Sequence, residues 1–239
     1  MNVQLFIPCF VDQFYPETGF NMIKVLEKLG CTVRYNPEQT CCGQPAFNAG
    51  FWDEAKAVGQ KFLKDFHSYD YVVSPSASCT GYVRNYYGKL FDNSALHNEV
   101  KLLGKNMYEF TEFLTGVLHV CDVGASLPGV ATYHDSCAGL RECHIKAEPR
   151  ELLSHVRGLE LREMQDVETC CGFGGTFSVK YEPISSGMAD KKLSHVVDTG
   201  AEYLISTDLS CLMHLEGYIK ERGLKLKTMH IADVLASGW

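Results

Sequence analysis

One cysteine pattern is written twice in this chain, and it limits the fold more than any other feature. In the first copy Cys9 is followed 32 positions later by Cys41 in Thr40-Cys41-Cys42-Gly43, and Ser78-Cys79 closes the pattern 37 positions after Cys42. In the second, 33 positions separate Cys137 from Cys170 in Thr169-Cys170-Cys171-Gly172, and Cys211, preceded by Ser210, lies 40 positions after Cys171. Equivalent cysteines are displaced by 128 to 132 positions. A shared order and shared neighbours across four positions mark an internal duplication. The 239 residues are therefore read as two related halves, 1–94 and 128–239, joined by a helical segment 95–127.

Hydrophobic periodicity supplies the elements between the cysteines. Val3–Pro8 is a short apolar run fit for a buried strand; Met22, Val25, Leu26 and Leu29 then mark one face of a helix that stops at Gly30. Thr32–Tyr35 is a second strand, Asn36-Pro37 breaks it, and the Cys-Cys-Gly loop follows. Ala55, Val58, Phe62 and Phe66 recur at helical spacing, Tyr71–Val73 is a third strand, and Ser78-Cys79 opens another helix. The second half repeats the order. Strands are expected at Val130–Tyr133, Leu159–Met164, Tyr203–Ile205 and Leu226–Met229, with helices at about Glu148–Val156, Gly187–Asp198, around Leu212–Ile219 and from Ile231. A single helix over about Glu99–Val117 is expected to join the halves. Strands alternating with helices at this spacing predict an α/β fold: two duplicated halves, each a small parallel sheet flanked by helices, related by a pseudo-twofold. Cys9 is then expected to end the first strand, with Cys41-Cys42 in the loop after the second and Cys79 after the third, all at the carboxyl edge where open α/β sheets take their ligands, and the second half repeats this. Cys79 and Cys211 fall at helix N-termini, where the dipole favours thiolate.

Composition narrows the function classes. Hydrophobic residues make up 46% of the chain, enough for a packed core, and the formal charge is −7. An acidic balance without a basic stripe argues against a nucleic-acid partner. No apolar run reaches the ~18–20 residues of a membrane-spanning helix. Met1-Asn2-Val3-Gln4-Leu5 has no basic n-region, so a secretory signal is not expected and a cytoplasmic protein is. In that compartment, eleven cysteines point to metal or redox chemistry rather than to a disulfide framework.

Four thiolates per half suit zinc or an iron–sulfur cluster. Structural zinc sites usually take cysteines as close C-x₂₋₄-C pairs, whereas here the ligands come from three loops. Adjacent cysteines, with Cα atoms ~3.8 Å apart, fit awkwardly on one tetrahedral ion and better on two irons of a cluster. Gly43 and Gly172, each following a pair, permit a positive φ that turns backbone N–H groups toward sulfur. A cluster is favoured, and zinc at one or both sites stays open. Gly172-Phe173-Gly174-Gly175 is not a dinucleotide loop, because Phe177 stands where the third glycine belongs. The sequence shows neither a phosphate loop nor a nucleophile elbow. No obvious flavin signature is present either.

The double pattern resembles the cysteine-rich (CCG) domain family, which includes one of the subunits of heterodisulfide reductase. It is most similar to the short two-motif branch, the lactate utilization A proteins. The segments that carry the likeness are Leu26–Cys31, Thr40–Ala46, Tyr133–Cys137, Thr169–Ser178 and Met229–Ala232. The resemblance implies an iron–sulfur redox subunit of a cytoplasmic complex that oxidises L-lactate to pyruvate. It also implies two partner proteins, one of them ferredoxin-like. The implied cluster ligands are Cys9, Cys41, Cys42 and Cys79, and Cys137, Cys170, Cys171 and Cys211. The full family motif ends in Cys-x-x-Cys, but here Tyr82 and His214 occupy the last position. Both halves lack the fifth thiolate associated with a non-cubane double cluster, and four remain for an ordinary 4Fe-4S cluster. His214 is a candidate substitute ligand, and His134 a candidate hydrogen-bonding neighbour. Cys31 reads as core, and Cys121 and Cys143 have no counterpart in the other half. Two other classes remain open: a thiol–disulfide enzyme acting through Cys41-Cys42, and a non-enzymatic scaffold holding zinc.

Overall fold

A computed structural model describes residues 1–66, 70–92 and 94–239. The first half runs β1 (Asn2–Leu5), α1 (Cys9–Phe14), α2 (Pro16–Lys28), β2 (Thr32–Tyr35), α3 (Gln44–Asn48), α4 (Trp52–Asp65), β3 (Tyr71–Ser74), α5 (Ala77–Leu90), α6 (His97–Asn106), β4 (Met107–Glu109) and α7 (Phe110–Glu112). The second runs β5 (Ser126–Tyr133), α8 (Cys137–Glu142), α9 (Ala147–Ser154), β6 (Arg157–Leu161), α10 (Phe177–Lys180), α11 (Glu182–Asp198), β7 (Tyr203–Ser206), α12 (Leu209–Glu221), β8 (Lys227–His230) and α13 (Ile231–Leu235). Each half builds a four-stranded sheet, in the orders β2-β1-β3-β4 and β6-β5-β7-β8. Every pairing is parallel. Strand order reverses between β1 and β3, and again between β5 and β7, so each sheet has a switch point where a crevice opens at the carboxyl edge.

Two expectations need correction. The joining helix over Glu99–Val117 is broken: β4 takes Met107–Glu109 into the first sheet beside β3, and a π-helical turn covers Phe113–Val117. The break occurs because Met107 and Glu109 are buried while Tyr108 is only half-buried, a period-two pattern that pairs better with the open edge of β3 than it continues a helix. Cys9 does not end a strand either. β1 stops at Leu5, Pro8 caps the next element, and Cys9 is the first residue of α1. Cys137 likewise opens α8, where Ser136 Oγ accepts the Gly139 N–H at 3.1 Å.

The halves share an apolar core. Val3, Leu5 and Val73 on one face of the first sheet join Met22, Val25 and Leu26 of α2, and this cluster continues through Ala131, Leu204 and Ile205 into the second half. The other face of the first sheet, with Phe6 and Val72, packs on Phe62, Phe66, Tyr82, Tyr87 and Phe91. Polar contacts across the boundary are reciprocal. Helix α13 begins at the His230 cap, whose Nδ1 accepts the Ala232 N–H at 3.1 Å while Nε2–H donates to the Pro75 carbonyl at 2.9 Å. Helix α7 begins at the corresponding Glu109 cap, and Thr207, which matches Pro75, donates its hydroxyl to that carboxylate. The two contacts tie each half to the other at matching positions.

Glu109 carries a titration consequence. It is fully buried, and it accepts the Thr111 and Glu112 N–H groups at 2.7 and 3.2 Å as well as both threonine hydroxyls. Burial pushes its carboxyl up to about 7 from an ordinary 4.5, against the pull of those hydrogen bonds. Between these values the folded chain keeps a proton that the unfolded chain releases. Stability is thus fully present below pH ~4.5 and lost as pH rises through ~7, by about 3 kcal/mol at ~1.36 kcal/mol per unit. Urea melts across this range should show that fall in the parent protein and its absence in Glu109→Gln; parallel curves would refute the assignment.

Candidate metal centre

Three loops at each sheet edge deliver the cysteines. In the first half Cys9 starts α1, Cys41 and Cys42 precede α3, and Cys79 lies in the first turn of α5, where Ser76 caps it by accepting the Cys79 N–H at 3.4 Å. Their sulfurs are in contact. Cys42 Sγ is 3.4 Å from Cys79 Sγ, and Cys41 hydrogen-bonds with both Cys42 and Cys9. The second half matches it: Cys170 hydrogen-bonds with Cys137 and Cys171, and Cys171 with Cys211. Each sulfur chain is therefore continuous through four residues that lie up to 74 positions apart.

The glycines behave as their position demands. Gly43 and Gly172 have φ of 91° and 95°. Each sends its N–H to the first sulfur of the pair, Cys41 at 3.3 Å and Cys170 at 3.4 Å. Tyr87 Oη–H holds the first loop through the Cys42 carbonyl at 2.7 Å, and Ser185 Oγ–H holds the second through the Gly172 carbonyl at 2.8 Å.

Charge concentrates on one thiol of each four. Hydrogen bonds from Cys42 and Cys9 hold Cys41 down at about 3, and those from Cys137 and Cys171 hold Cys170 down at about 2. Donating to those thiolates pushes the partners Cys9, Cys42, Cys137 and Cys171 up. Cys211 lies in the first turn of α12, as expected. Its bond with Cys171 pulls it down, but complete burial and Asp208 raise it overall. A metal that displaced the remaining protons would gain four charged sulfur ligands per half.

All eight cysteines line one cavity of about 220 Å³ between the halves. Sequence reasoning placed two separate groups on two rims; the structure turns both rims inward. Phe10 and Phe173 meet edge to face across this cavity at 5.7 Å. Asp208 also lines it, with its carboxylate accepting the Ser78 N–H and hydroxyl from the other half at 2.9 and 3.0 Å. One water requires only roughly 10–15 Å³, so this space admits groups much larger than a lone ion. Its donors are soft sulfurs with backbone N–H groups aimed at them, and that donor set fits zinc or an iron–sulfur cluster.

The other named residues separate clearly. His134 is fully buried, both ring nitrogens lack hydrogen-bond partners, and its donor atom lies within 4.8 Å of the Cys171 and Cys211 sulfurs. Burial and nearby Lys192 lower it to about 3, so it is neutral. His214 is held elsewhere, with Nε2 3.3 Å from Ser185 Oγ and its ring against Phe173 and Tyr218. Tyr82 is buried among Phe47, Tyr86 and Tyr87. Cys31 is buried core, Cys143 Sγ bonds the Ala77 carbonyl at 3.4 Å, and Cys121 is half-buried away from the cavity. Lys192 escaped sequence reasoning. The available signal was a charged residue on the apolar face of α11, between the buried Ala189, Leu193 and Val196.

Comparison with known proteins follows the geometry. Residues 3–84 and 131–216 each match the cysteine-rich domain family called CCG. Lactate utilization protein A of Geobacillus kaustophilus is 46% identical over 235 residues, 98% of each chain. Lactate utilization protein A of Bacillus cereus strain B4264 is 44% identical over 237 residues, 99% of each chain. Among solved structures, a hypothetical protein from Helicobacter pylori aligns with a TM-score of 0.57 at 11% identity; the match covers 98% of this chain and 48% of that one, a likeness of fold alone.

The two glycine turns differ in tolerance. A Cβ on Gly172 would lie 2.6 Å from the Ser185 carbonyl oxygen, whereas one on Gly43 would lie 3.3 Å from that of Ala55. Both substitutions carry positive-φ strain of about 1–3 kcal/mol, and Gly172→Ala adds a backbone clash. Denaturation of the two alanine variants should therefore place Gly172→Ala below Gly43→Ala; the reverse order would contradict the loop geometry.

Proposed function

The chain is a member of the cysteine-rich (CCG) domain family, and from that premise we propose that it is an iron–sulfur redox subunit of a cytoplasmic system that oxidises L-lactate to pyruvate. The observation that carries the reading is the convergence of both cysteine groups on one cavity. Cys9, Cys41, Cys42 and Cys79 would hold one centre, and Cys137, Cys170, Cys171 and Cys211 the other. When bound, such clusters accept and release single electrons. The names of the relatives support lactate as the substrate of the whole system. Two further proteins are its proposed partners, one of them ferredoxin-like. The halves 1–94 and 128–239 act as paired cluster-holding units, with 95–127 between them.

The protein's own residues prepare this role in three ways. Gly43 and Gly172 N–H groups stabilise negative sulfur. The serine caps Ser76 and Ser136 fix the helices that bear Cys79 and Cys137. Phe10 and Phe173 add apolar surface to the cavity wall. No helix among the described residues is long and apolar enough to cross a membrane.

Iron and sulfide assays on protein reconstituted without oxygen test the reading. The parent chain should carry two centres, and Cys41→Ser and Cys170→Ser should each lose about one. Colourless, iron-free protein would overturn the proposal, and stoichiometric zinc without iron would select a structural scaffold instead.

A further inference from the structure

The halves differ beneath their cysteines. Register between them follows from two landmarks. Cys9 and Cys137 each open a helix, so the residue three positions earlier is Phe6 in one half and His134 in the other. A Cβ on Gly43 would meet the Ala55 carbonyl and Val58, and one on Gly172 the Ser185 carbonyl and Met188. Helices α4 and α11 therefore run in step, and the next turn sets Phe62 opposite Lys192. In the first half Phe6 and Phe62 meet edge to face at 4.7 Å, with Phe66 against both. They form an apolar floor shared with Cys42 and Cys79.

The second half fills the same two places with His134 and Lys192, neither exposed to solvent. Lys192 Nζ donates to the Asp166 and Val167 carbonyls at 3.0 and 2.9 Å, and no carboxylate is within ion-pair reach among the described residues. Burial pushes the Lys192 ammonium down, and the neighbours that oppose this are Cys171, Asp135, Cys170 and Asp166. Arg150 already binds Asp135 at 2.9 Å, and Lys191 faces Asp166 at 3.5 Å. A buried ammonium is costly unless negative charge compensates it, and the second cysteine group stands with Asp135 and Asp166 in supplying that charge. His134 adds two unpartnered ring nitrogens close to Cys171 and Cys211.

We propose that the two cysteine groups form unequal redox centres, and that the second, seated on His134 and Lys192, is the more easily reduced. The inference rests on reading the groups as cluster sites. An electron added to a thiolate-bound cluster increases its negative charge. A fixed ammonium and an imidazole N–H stabilise that increase, while an aromatic floor opposes it. With both groups loaded, an electron from an external one-electron donor would favour the second centre, the first being reoxidised as the second is reduced, with no bond made or broken. The exchange of Phe6 and Phe62 for His134 and Lys192 gives the pair a direction.

Reductive titration with dithionite, followed by electron paramagnetic resonance, tests this on the full chain. Cys41→Ser retains the second centre and Cys170→Ser the first. The centre in Cys41→Ser should be half-reduced at the higher potential. Adding Lys192→Met there should make it about tenfold harder to reduce, a fall of about 59 mV for one electron; Lys192→Arg should restore it. The same Lys192→Met change in Cys170→Ser should leave the first centre unmoved. His134→Phe, which installs the first half's own residue, should also lower the second centre and serves where Lys192→Met does not fold. Equal or reversed potentials, or an equal effect of Lys192→Met on both centres, would overturn the inequality while leaving the cluster reading intact. Absence of iron from every variant would remove both.

Discussion

A parallel sheet sets every strand's carboxyl end on the same edge, and both cysteine groups depend on that constraint. Cys9 and Cys79 leave the edge after neighbouring strands β1 and β3, and the Cys41-Cys42 loop comes in from beyond β2. Residues 37 positions apart in sequence thus meet sulfur to sulfur at 3.4 Å. An antiparallel order would send alternate loops to opposite edges and separate the same cysteines by a strand length. The second sheet repeats the order and the result.

Joining the halves through a common core does more than double the site. The shared apolar core fixes one sheet against the other. The polar contacts at the boundary, from Asp208 to Ser78 and from His230 to Pro75, lie within a few residues of Cys79 and Cys211. Ordering of the boundary and placement of the cysteines are therefore coupled. Buried Glu109 sits in that same boundary, against Thr207, so protonation there is linked to how tightly the halves hold together.

Much of the architecture is legible in the residues themselves. Thr32–Tyr35 is a strand with the bounds its β-branched and aromatic residues suggest, and α2 carries its apolar face on Met22, Val25 and Leu26. The errors have separate physical causes. Met107–Glu109 pairs with β3, a tertiary contact that local helical spacing does not encode. Helix α11 begins at Glu182 rather than about Gly187, because Pro183 in its first turn is a good start whose missing N–H costs nothing there. The strand before Cys9 ends early, at Leu5, since the next helix claims Cys9 as its first residue, whereas β5 ends at Tyr133 as its residues suggest.

The duplicated cysteine order, the α/β class and the glycine turns at Gly43 and Gly172 were determined by the sequence alone. They depend on residue type, spacing and local backbone freedom, all of which are local properties. Only the tertiary structure decided that the two rims face each other across one cavity, that His134 rather than His214 stands beside the sulfurs, and that Lys192 lies beneath one group while Phe62 lies beneath the other. The reason is that burial and the sign of a neighbouring charge are set by what packs against a residue from distant parts of the chain. The electrostatic difference between two nearly repeated motifs becomes visible only when the helices behind them are in place.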